Sequence, residues 1–427
     1  MSEARSSETV PSGGRVLGIL LLAYIFNFLD RQILSILQIP IKAELGLSDR
    51  QLGLMGGVAF ALLYSGLAVP VAWLADRYNR AKIIAVSLGV WSAFTALCGV
   101  TQNFWQIFLF RMGVGVGEAG GVAPAYALIS DYFPPERRAR ALAIFSLGIP
   151  LGSALGIFFG GWLASSINWR VAFIVVGLMG LLLVPLVLLG IKEPGRGHFD
   201  RAEGAAAEPA PPFKTVAGTV MRKPTFWFLA FGASSGSILG YGMGFWVPAF
   251  LSRSRGLDLM DISWYAGSIV LVGGSIGIWL GGVFGDRLAR LRPAGYPLIP
   301  CICFLLAAPV FAVGISVESL SVAWIMFTIG WALGLAWLGP VIAAVQHIVP
   351  PNMRATASAA FLLPNNLIGI GFGIYIIGEI SQQLAPTLGD DSLQQAMLYC
   401  LGFYLLSALF YGLAAWRIDR DWYRPPA

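Results

Sequence analysis

The chain has 427 residues, of which 57% are hydrophobic and only 12% charged, with a formal charge of +6. A soluble domain carries about 25% charged residues, so this balance excludes one and points to an integral membrane protein. The positive charge suits basic loops at a membrane surface better than a nucleic-acid groove.

Residues 1–15 read as a polar tail. Twelve apolar segments follow, at 16–39, 50–75, 82–101, 104–130, 139–164, 170–191, 224–251, 262–284, 296–316, 321–348, 355–384 and 393–416. A helix needs about 20 apolar residues to cross a bilayer, and the longer segments imply tilt. The expected fold class is all-α integral membrane, with twelve transmembrane helices. Residues 192–223 are rich in Pro, Ala, Gly and charge, and part six segments from six. The expected domains are two six-helix bundles, 16–191 and 224–416, joined by the 192–223 linker and followed by a tail, 417–427. The end of the linker, from Phe213 to Lys223, is a candidate for a short interfacial helix. The four cysteines, Cys98, Cys301, Cys303 and Cys400, all fall inside apolar segments. We read no disulfide, no metal site and no cofactor from them.

Loop charges set the expected orientation. The tails and the loops after the second, fourth, sixth, eighth and tenth segments hold 21 Lys and Arg. The opposite side holds five: Lys42, Arg50, Arg170, Arg253 and Arg255. Both termini are therefore expected in the cytoplasm. Compact loops suit a bacterial inner membrane.

The chain repeats itself. AWLADRYNRAK at 72–82 is echoed by GVFGDRLARLR at 282–292: Asp76-Arg77 matches Asp286-Arg287, and Arg80 matches Arg290, at an offset of 210. PPERRARALAIF at 134–145 is echoed by PPNMRATASAAF at 350–361, at an offset of 216. Two signatures in the same order indicate an internal duplication. On these motifs the chain resembles the major facilitator superfamily, which implies two pseudo-symmetric six-helix bundles around a central cavity. The family's usual glycines are replaced by Ala72 and Asn79 in the first copy. In the second, Gly282 stands and Ala289 departs. Asp76, Arg77, Arg80, Arg138, Asp286, Arg287, Arg290 and Arg354 become candidate gating residues. They could hold the cytoplasmic side shut in one state, or simply anchor helix ends.

Asp30 and Arg31 lie side by side in the first apolar segment. A charge at mid-bilayer costs on the order of 2.5–3.5 kcal/mol, which excludes lipid-facing placement of both. Helical neighbours point about 100° apart, so each needs a partner elsewhere. The fourth segment supplies Arg111 and Glu118, seven residues apart on one stripe. Gly113, Gly117 and Gly121 there admit a close neighbour. The expectation is that the first and fourth helices face each other, with these four charges forming one buried network. It serves either as a static staple or as a proton relay. His198 falls in the linker and His347 near a helix end, so any proton must ride on carboxylates: Asp30 and Glu118. Glu379 is set aside as lying near the outer mouth. Gly148, Gly152, Gly156 and Gly160 in the fifth segment form a bare face, expected to pack on the opposite half.

Asn27, Asp30-Arg31, VGVGEA at 114–119 and the run at 134–156 together are similar to the Spinster branch of that superfamily. Spinster-type transporters are associated with lysophospholipids and sphingosine-1-phosphate. The resemblance implies that Asp30, Arg31 and Glu118 couple and contact substrate, with Arg111 as the family's helix 4 arginine. Aromatic residues crowd the seventh and tenth segments, Tyr241 and Trp331 among them. They form either a cavity wall or an interfacial belt. Asn365 follows Pro364 at a presumed helix break and is a further candidate to line the cavity.

The reading is a proton-coupled secondary transporter of a lysolipid or similar amphiphile, working as a monomer among membrane lipids. Arg31, Arg111, Asn27, Glu118, Tyr241, Trp331 and Asn365 are its substrate-binding candidates. A carrier of small organic anions or drugs is the alternative within transport, and a non-transporting lipid receptor is the alternative outside it. An enzyme would need a nucleophile–base set or metal ligands, and neither is read here. A phosphate-cradling GK[ST] loop is absent, which argues against ATP as the driver.

Overall fold

In the computed structural model, residues 13–75, 77–194, 213–350 and 353–423 are described. They are almost wholly helical. The first half comprises α1 (Gly13–Leu45), α2 (Asp49–Gly53), a π segment (Leu54–Val58), α3 (Ala59–Ala75), α4 (Arg80–Cys98), α5 (Phe104–Glu118), α6 (Val122–Tyr132), α7 (Pro135–Ser146), α8 (Gly148–Ser166) and α9 (Trp169–Gly190). Beyond the linker come the short α10 (Phe213–Met221), then α11 (Pro224–Arg255), α12 (Leu259–Ala289), α13 (Gly295–Ser316), α14 (Leu320–Leu335) and α15 (Leu338–His347). The chain closes with α16 (Arg354–Asn366), a second π segment (Leu367–Phe372), α17 (Gly373–Leu388), α18 (Ser392–Cys400) and α19 (Gly402–Asp421).

Ten helical stretches among the described residues are long and apolar enough to cross a membrane. The last of them, Thr356–Asp421, runs 66 residues and folds back on itself, and α11 adds a further 32-residue helix. The arrangement is consistent with the twelve segments expected. Most of the expected linker lies outside the described residues. Its end forms α10, whose Val216 and Val220 are buried while Met221 is exposed.

Polar residues mark the helix starts. Asn79, Asn103 and Asn168 each accept a hydrogen bond from a backbone N–H three residues on, and Ser48 forms a capping box with Gln51. Gly256, at φ 64°, ends α11 in the left-handed conformation that glycine tolerates.

The duplication is visible in three dimensions. Arg138 donates to the Ser130 carbonyl at 2.8 Å, and Arg354 to the Gln346 carbonyl at 3.2 Å. Both pairs obey the offset of 216. The fourth span breaks between Glu118 and Val122, and the tenth between Leu335 and Leu338. Pro124 and Pro340 occupy the same place in the first turn of the new helix, where a missing N–H costs nothing. The continuous segments expected at 104–130 and 321–348 are thus each two helices.

The glycine stripe of α8 packs on α1 of its own half, not on the opposite half as expected. A Cβ on Gly156 would lie 2.5 Å from the Leu29 carbonyl oxygen. The opposite half meets α8 through Pro150 and Phe158, which abut Gly274 and Gly267 of α12. The two π segments also meet across the halves, where a Cβ on Gly57 would lie 2.7 Å from the Gly371 carbonyl oxygen.

α1 and α11 run in the same direction, with Gln32 donating to the Gly244 carbonyl at 3.0 Å and Gln38 to that of Phe245. Both halves therefore begin and end on one face, called here the terminal face, and turn at a far face. On the terminal face Arg80 is buried. It pairs with Asp131 and Glu193, each at 2.6 Å, and its backbone N–H donates to Glu193. Removing one member of a buried ion cluster typically costs about 3–5 kcal/mol. Arg80→Ala is therefore expected to lower the melting temperature in detergent clearly, and Arg80→Lys to lower it less. An unchanged melting curve for Arg80→Ala would show that this cluster does not hold the half together.

Candidate functional site

The interior charges sit where the first, third and fourth spans converge. Arg31 of α1 donates to Glu118 at the end of α5 at 2.6 Å, with the carboxylate fully buried and the guanidinium side chain 11% exposed. Asp30 turns the other way and accepts from Thr95 of α4 at 2.6 Å. Arg111 is buried within electrostatic reach of Asp30, yet its Nε and Nη1 find no hydrogen-bond partner. The four charges expected in one network lie within electrostatic reach of one another, but their direct bonds divide: Arg31 holds Glu118, Asp30 takes the Thr95 hydroxyl, and Arg111 acts on both carboxylates from farther off. Nor are α1 and α5 packed along each other. α1 lies on α8, while α5 is backed by α3 and α4, where Gly115 meets Phe60 and Gly117 meets Trp91. Long side chains span the gap.

Aromatic rings replace part of the missing hydration. The Arg31 guanidinium lies 4.7 Å from the Phe60 ring centre, 5.0 Å from Tyr64 and 5.0 Å from Phe28. The same Phe60 ring is 5.7 Å from Arg111. Desolvated cation–π contacts contribute up to about 2 kcal/mol each, so Phe60 helps hold two cations in one low-dielectric pocket. Phe60, Tyr64 and Thr95 were not singled out in the sequence, since ring and hydroxyl partners carry no periodic signal.

Between the halves lies a cavity of about 150 Å³. Phe28, Gln32 and Pro150 face it from the first half, and Tyr241, Trp331 and Tyr404 from the second. Its lining includes no charged residue. Tyr241 and Trp331 are therefore on the wall, as expected. Phe226 and Trp246 instead belong to the core, and Phe231 faces outward. Asn365 is not on the wall: it is buried one residue behind it and accepts from Ser237 at 2.8 Å. The helix also does not break at Pro364; it continues to Asn366 and widens into a π segment. Asn27 and Asp30 border two small separate cavities inside the first half. Neither Asp30 nor Glu118 lines the central cavity, so the substrate contact expected of them is not open in this state. Phe28 and Gln32, on either side of Arg31 in sequence, stand between. Gly334, the equivalent of Glu118 at the offset of 216, does reach it.

On the terminal face, the bonds seen for Arg80, Arg138 and Arg354 are to groups of their own halves. Arg77 stacks on Trp73 at 3.8 Å and Arg287 and Arg290 are exposed. Asp76 and the side chain of Asp286 lie outside the described residues. All ion pairs found between the halves, among the described residues, are at the far face. Asp49 is held by both terminal nitrogens of Arg253, at 2.7 and 2.6 Å, by Lys42 at 2.6 Å and by Ser381 at 2.8 Å. Arg50 grips both oxygens of Glu379 at 2.6 Å. The sequence reading counted Lys42, Arg50 and Arg253 only as topology charges, passed over Asp49 and set Glu379 aside. Each half supplies one acid and one arginine to the other.

Comparison with known proteins agrees with this architecture. Residues 20–374 match the Major Facilitator Superfamily model. An MFS-type efflux pump of Mycolicibacterium smegmatis is 35% identical over 409 residues, covering 95% of this chain and 93% of that one. Protein spinster homolog 1 of Xenopus tropicalis is 30% identical, over 92% of this chain and 80% of its own. A crystal structure of a bacterial homologue of the human lysosomal transporter Spinster, inward-facing and unoccupied, superposes with a TM-score of 0.87 at 31% identity. It covers 97% of this chain and 99% of that one. This chain belongs to the Major Facilitator Superfamily, as a multi-pass membrane transporter of the Spinster type.

Proposed function

We propose that the protein is a secondary active transporter that couples protons to movement of a lysolipid or sphingosine-1-phosphate-like amphiphile by alternating access. One observation carries the reading: a buried Arg31–Glu118 pair stands just behind an aromatic cavity shared by both halves. The cavity suits an acyl chain, which needs apolar walls and no charge. Arg31 is the nearest partly exposed cation for a phosphate headgroup. A phosphate that takes Arg31 in a charge-assisted bond deprives Glu118 of its partner. A buried carboxylate without a partner is costly, so Glu118 then takes up a proton. Asp30 and Arg111 tune this exchange from behind. Asn27 and Asn365 support the site without touching the substrate. The far-face ion pairs hold the state seen here. Asp76, Arg77, Arg80, Arg138, Asp286, Arg287, Arg290 and Arg354 serve the opposite state. The charge asymmetry of the loops supports a plasma-membrane location with both termini cytoplasmic, and we read the working unit as a monomer. A second reading, export of drugs or small organic anions, draws support from the likeness to the M. smegmatis efflux pump.

Uptake into proteoliposomes, with and without a proton gradient, tests the reading. Labelled lysophosphatidic acid and a neutral monoacylglycerol are offered side by side. Arg31→Ala is expected to weaken transport of the phosphate-bearing lipid by about tenfold or more, since a hydrogen bond to a charged group contributes about 1.5–3 kcal/mol. The neutral lipid is expected to change little. Equal losses for both would point to a packing defect, and preference for a small anion over either lipid would favour the second reading.

A further inference from the structure

At the far face two cations share one carboxylate. Lys42 of α1 and Arg253 of α11 both bond Asp49, while the neighbouring Arg50 pairs with Glu379. The direct contacts around Asp49 therefore carry one positive charge more than they neutralise. The ammonium of Lys42 bonds only Asp49 among the described residues, which leaves further N–H donors on it, and the Arg253 fork also has donors beyond its two bonds. A surplus of charge with unused N–H groups, held where the halves meet, favours an anion.

Room for one lies beside them. A void of about 50 Å³ separates α1 from α11 at this face. Gln38 and Lys42 line it from the first half, and Ser252 and Arg253 from the second, with Leu52 and Ala249 on its apolar side. A buried water needs about 10–15 Å³, so the void has space for an ion and its water. The Lys42 side chain is 35% exposed, so the same residue borders both the void and the outer solution.

Gln38 supplies an independent sign of an occupant. It is fully buried, and its Nε2 donates to the carbonyls of Ser35 and Phe245. Two carbonyl acceptors fix which end of the amide is nitrogen. Its Oε1 is buried and finds no donor among the described residues. Buried polar atoms in native interiors are almost always paired, and the water of a hydrated anion has an O–H to give.

We infer that this void binds a small monovalent anion, such as chloride, between Lys42 of the first half and Arg253 of the second. The anion accepts N–H bonds from both cations, and the Ser252 hydroxyl is a third donor on the wall. A bridging water donates one O–H to the anion and the other to Gln38 Oε1. One negative charge balances the surplus; a phosphate, with its second charge, exceeds it. Because its partners come from both halves, the bound anion strengthens closure of the far face. The site stands apart from the central cavity and from Glu118, and the inference is independent of the proposed substrate and of proton coupling.

The full chain in detergent is melted at fixed ionic strength while chloride replaces gluconate, so that screening stays constant. A ligand that binds only the folded, closed protein raises the melting temperature in a saturable way, here by about 2 °C or more. Lys42→Gln leaves Asp49 its bonds to Arg253 and removes the surplus charge, so its chloride-dependent rise is expected to vanish. Lys42→Arg keeps the charge and is expected to keep the rise. No rise in the wild type would overturn the proposal, and so would an equal rise in Lys42→Gln, which marks a bulk salt effect. Wild-type crystals grown in bromide give a reading that needs no variant. An anomalous peak between Lys42 and Arg253 is expected, and a void filled by water alone would overturn the site.

Discussion

Glu118→Gln is expected to abolish accumulation of substrate driven by a proton gradient, while downhill exchange of labelled for unlabelled substrate continues. Gln retains the shape and still accepts from Arg31, so the 2.6 Å contact has a neutral replacement. What it loses is the ability to carry a proton. The Arg31 guanidinium keeps an acceptor but loses its counter-charge in a nearly buried site, so stability also falls, and accumulation is compared at equal amounts of folded protein. Gradient-driven accumulation should fall by about tenfold or more, the scale set by losing an interaction of about 1.4 kcal/mol or greater. Asp30→Asn provides the comparison, since Asp30 keeps a hydroxyl partner in Thr95 and makes no direct bond to Arg31. A Glu118→Gln protein with undiminished response to the gradient would remove this residue from the coupling mechanism.

Arg253→Ala is expected to open the far face. Asp49 is nearly fully buried, with a side chain 5% exposed; Arg253 gives it two hydrogen bonds and the only charged partner it has from the other half among the described residues, beside the Ser381 hydroxyl, while Lys42 pairs with it from its own half. Truncating one partner of a buried charge pair costs about 3–5 kcal/mol, because the other charge is left in place. Even 3 kcal/mol changes a two-state ratio about a hundredfold. The neighbouring Arg50–Glu379 contact has equal distances, but Arg50 is 52% exposed. Exposed pairs contribute about 0–1 kcal/mol, so Arg50→Ala should shift the balance far less. Spin labels at Gln102 and Asp390, exposed positions near the far face of the two halves, give the readout by electron–electron double resonance. Arg253→Ala should populate longer distances, and Arg50→Ala should leave the distribution close to wild type. The double variant Asp49→Ala/Arg253→Ala removes the stranded charge as well, so it should open less than Arg253→Ala alone. A distance distribution insensitive to Arg253 would show that packing of the π segments, not the ion pair, keeps the far face closed.

Much of the architecture was legible before any coordinates, because it depends on quantities that add up along the chain. Length and hydropathy gave the membrane spans, and the two repeated signatures gave the duplication now seen in Arg138–Ser130 and Arg354–Gln346. The cost of charge in a membrane singled out Asp30, Arg31, Arg111 and Glu118; three are buried in the first half and Arg31, 11% exposed, pairs with one of them. The aromatic-rich segments yielded Tyr241 and Trp331 on the cavity wall. These are one-dimensional signals: counts, periods and penalties that each residue carries with it.

Partner choice was not legible in this way. Composition could not show that Arg31 selects Glu118 while Asp30 selects Thr95, because an ion pair is decided by side-chain reach across helices that are distant in sequence. The glycine stripe of α8 announced a close neighbour but not which one, since any helix fits a bare face, and it chose α1. The breaks after Glu118 and Leu335 were hidden in apolar runs, where hydropathy is blind to backbone direction. The clasp of Asp49 by Arg253 joins residues 204 apart, and each alone reads as a loop charge. The sequence by itself determined a duplicated membrane transporter with a charged first half, through the free energy of moving each side chain out of water. Only the tertiary structure decided which charges meet, which stay apart and at which face the halves are locked, because those outcomes depend on ångström-scale distances that no single residue carries.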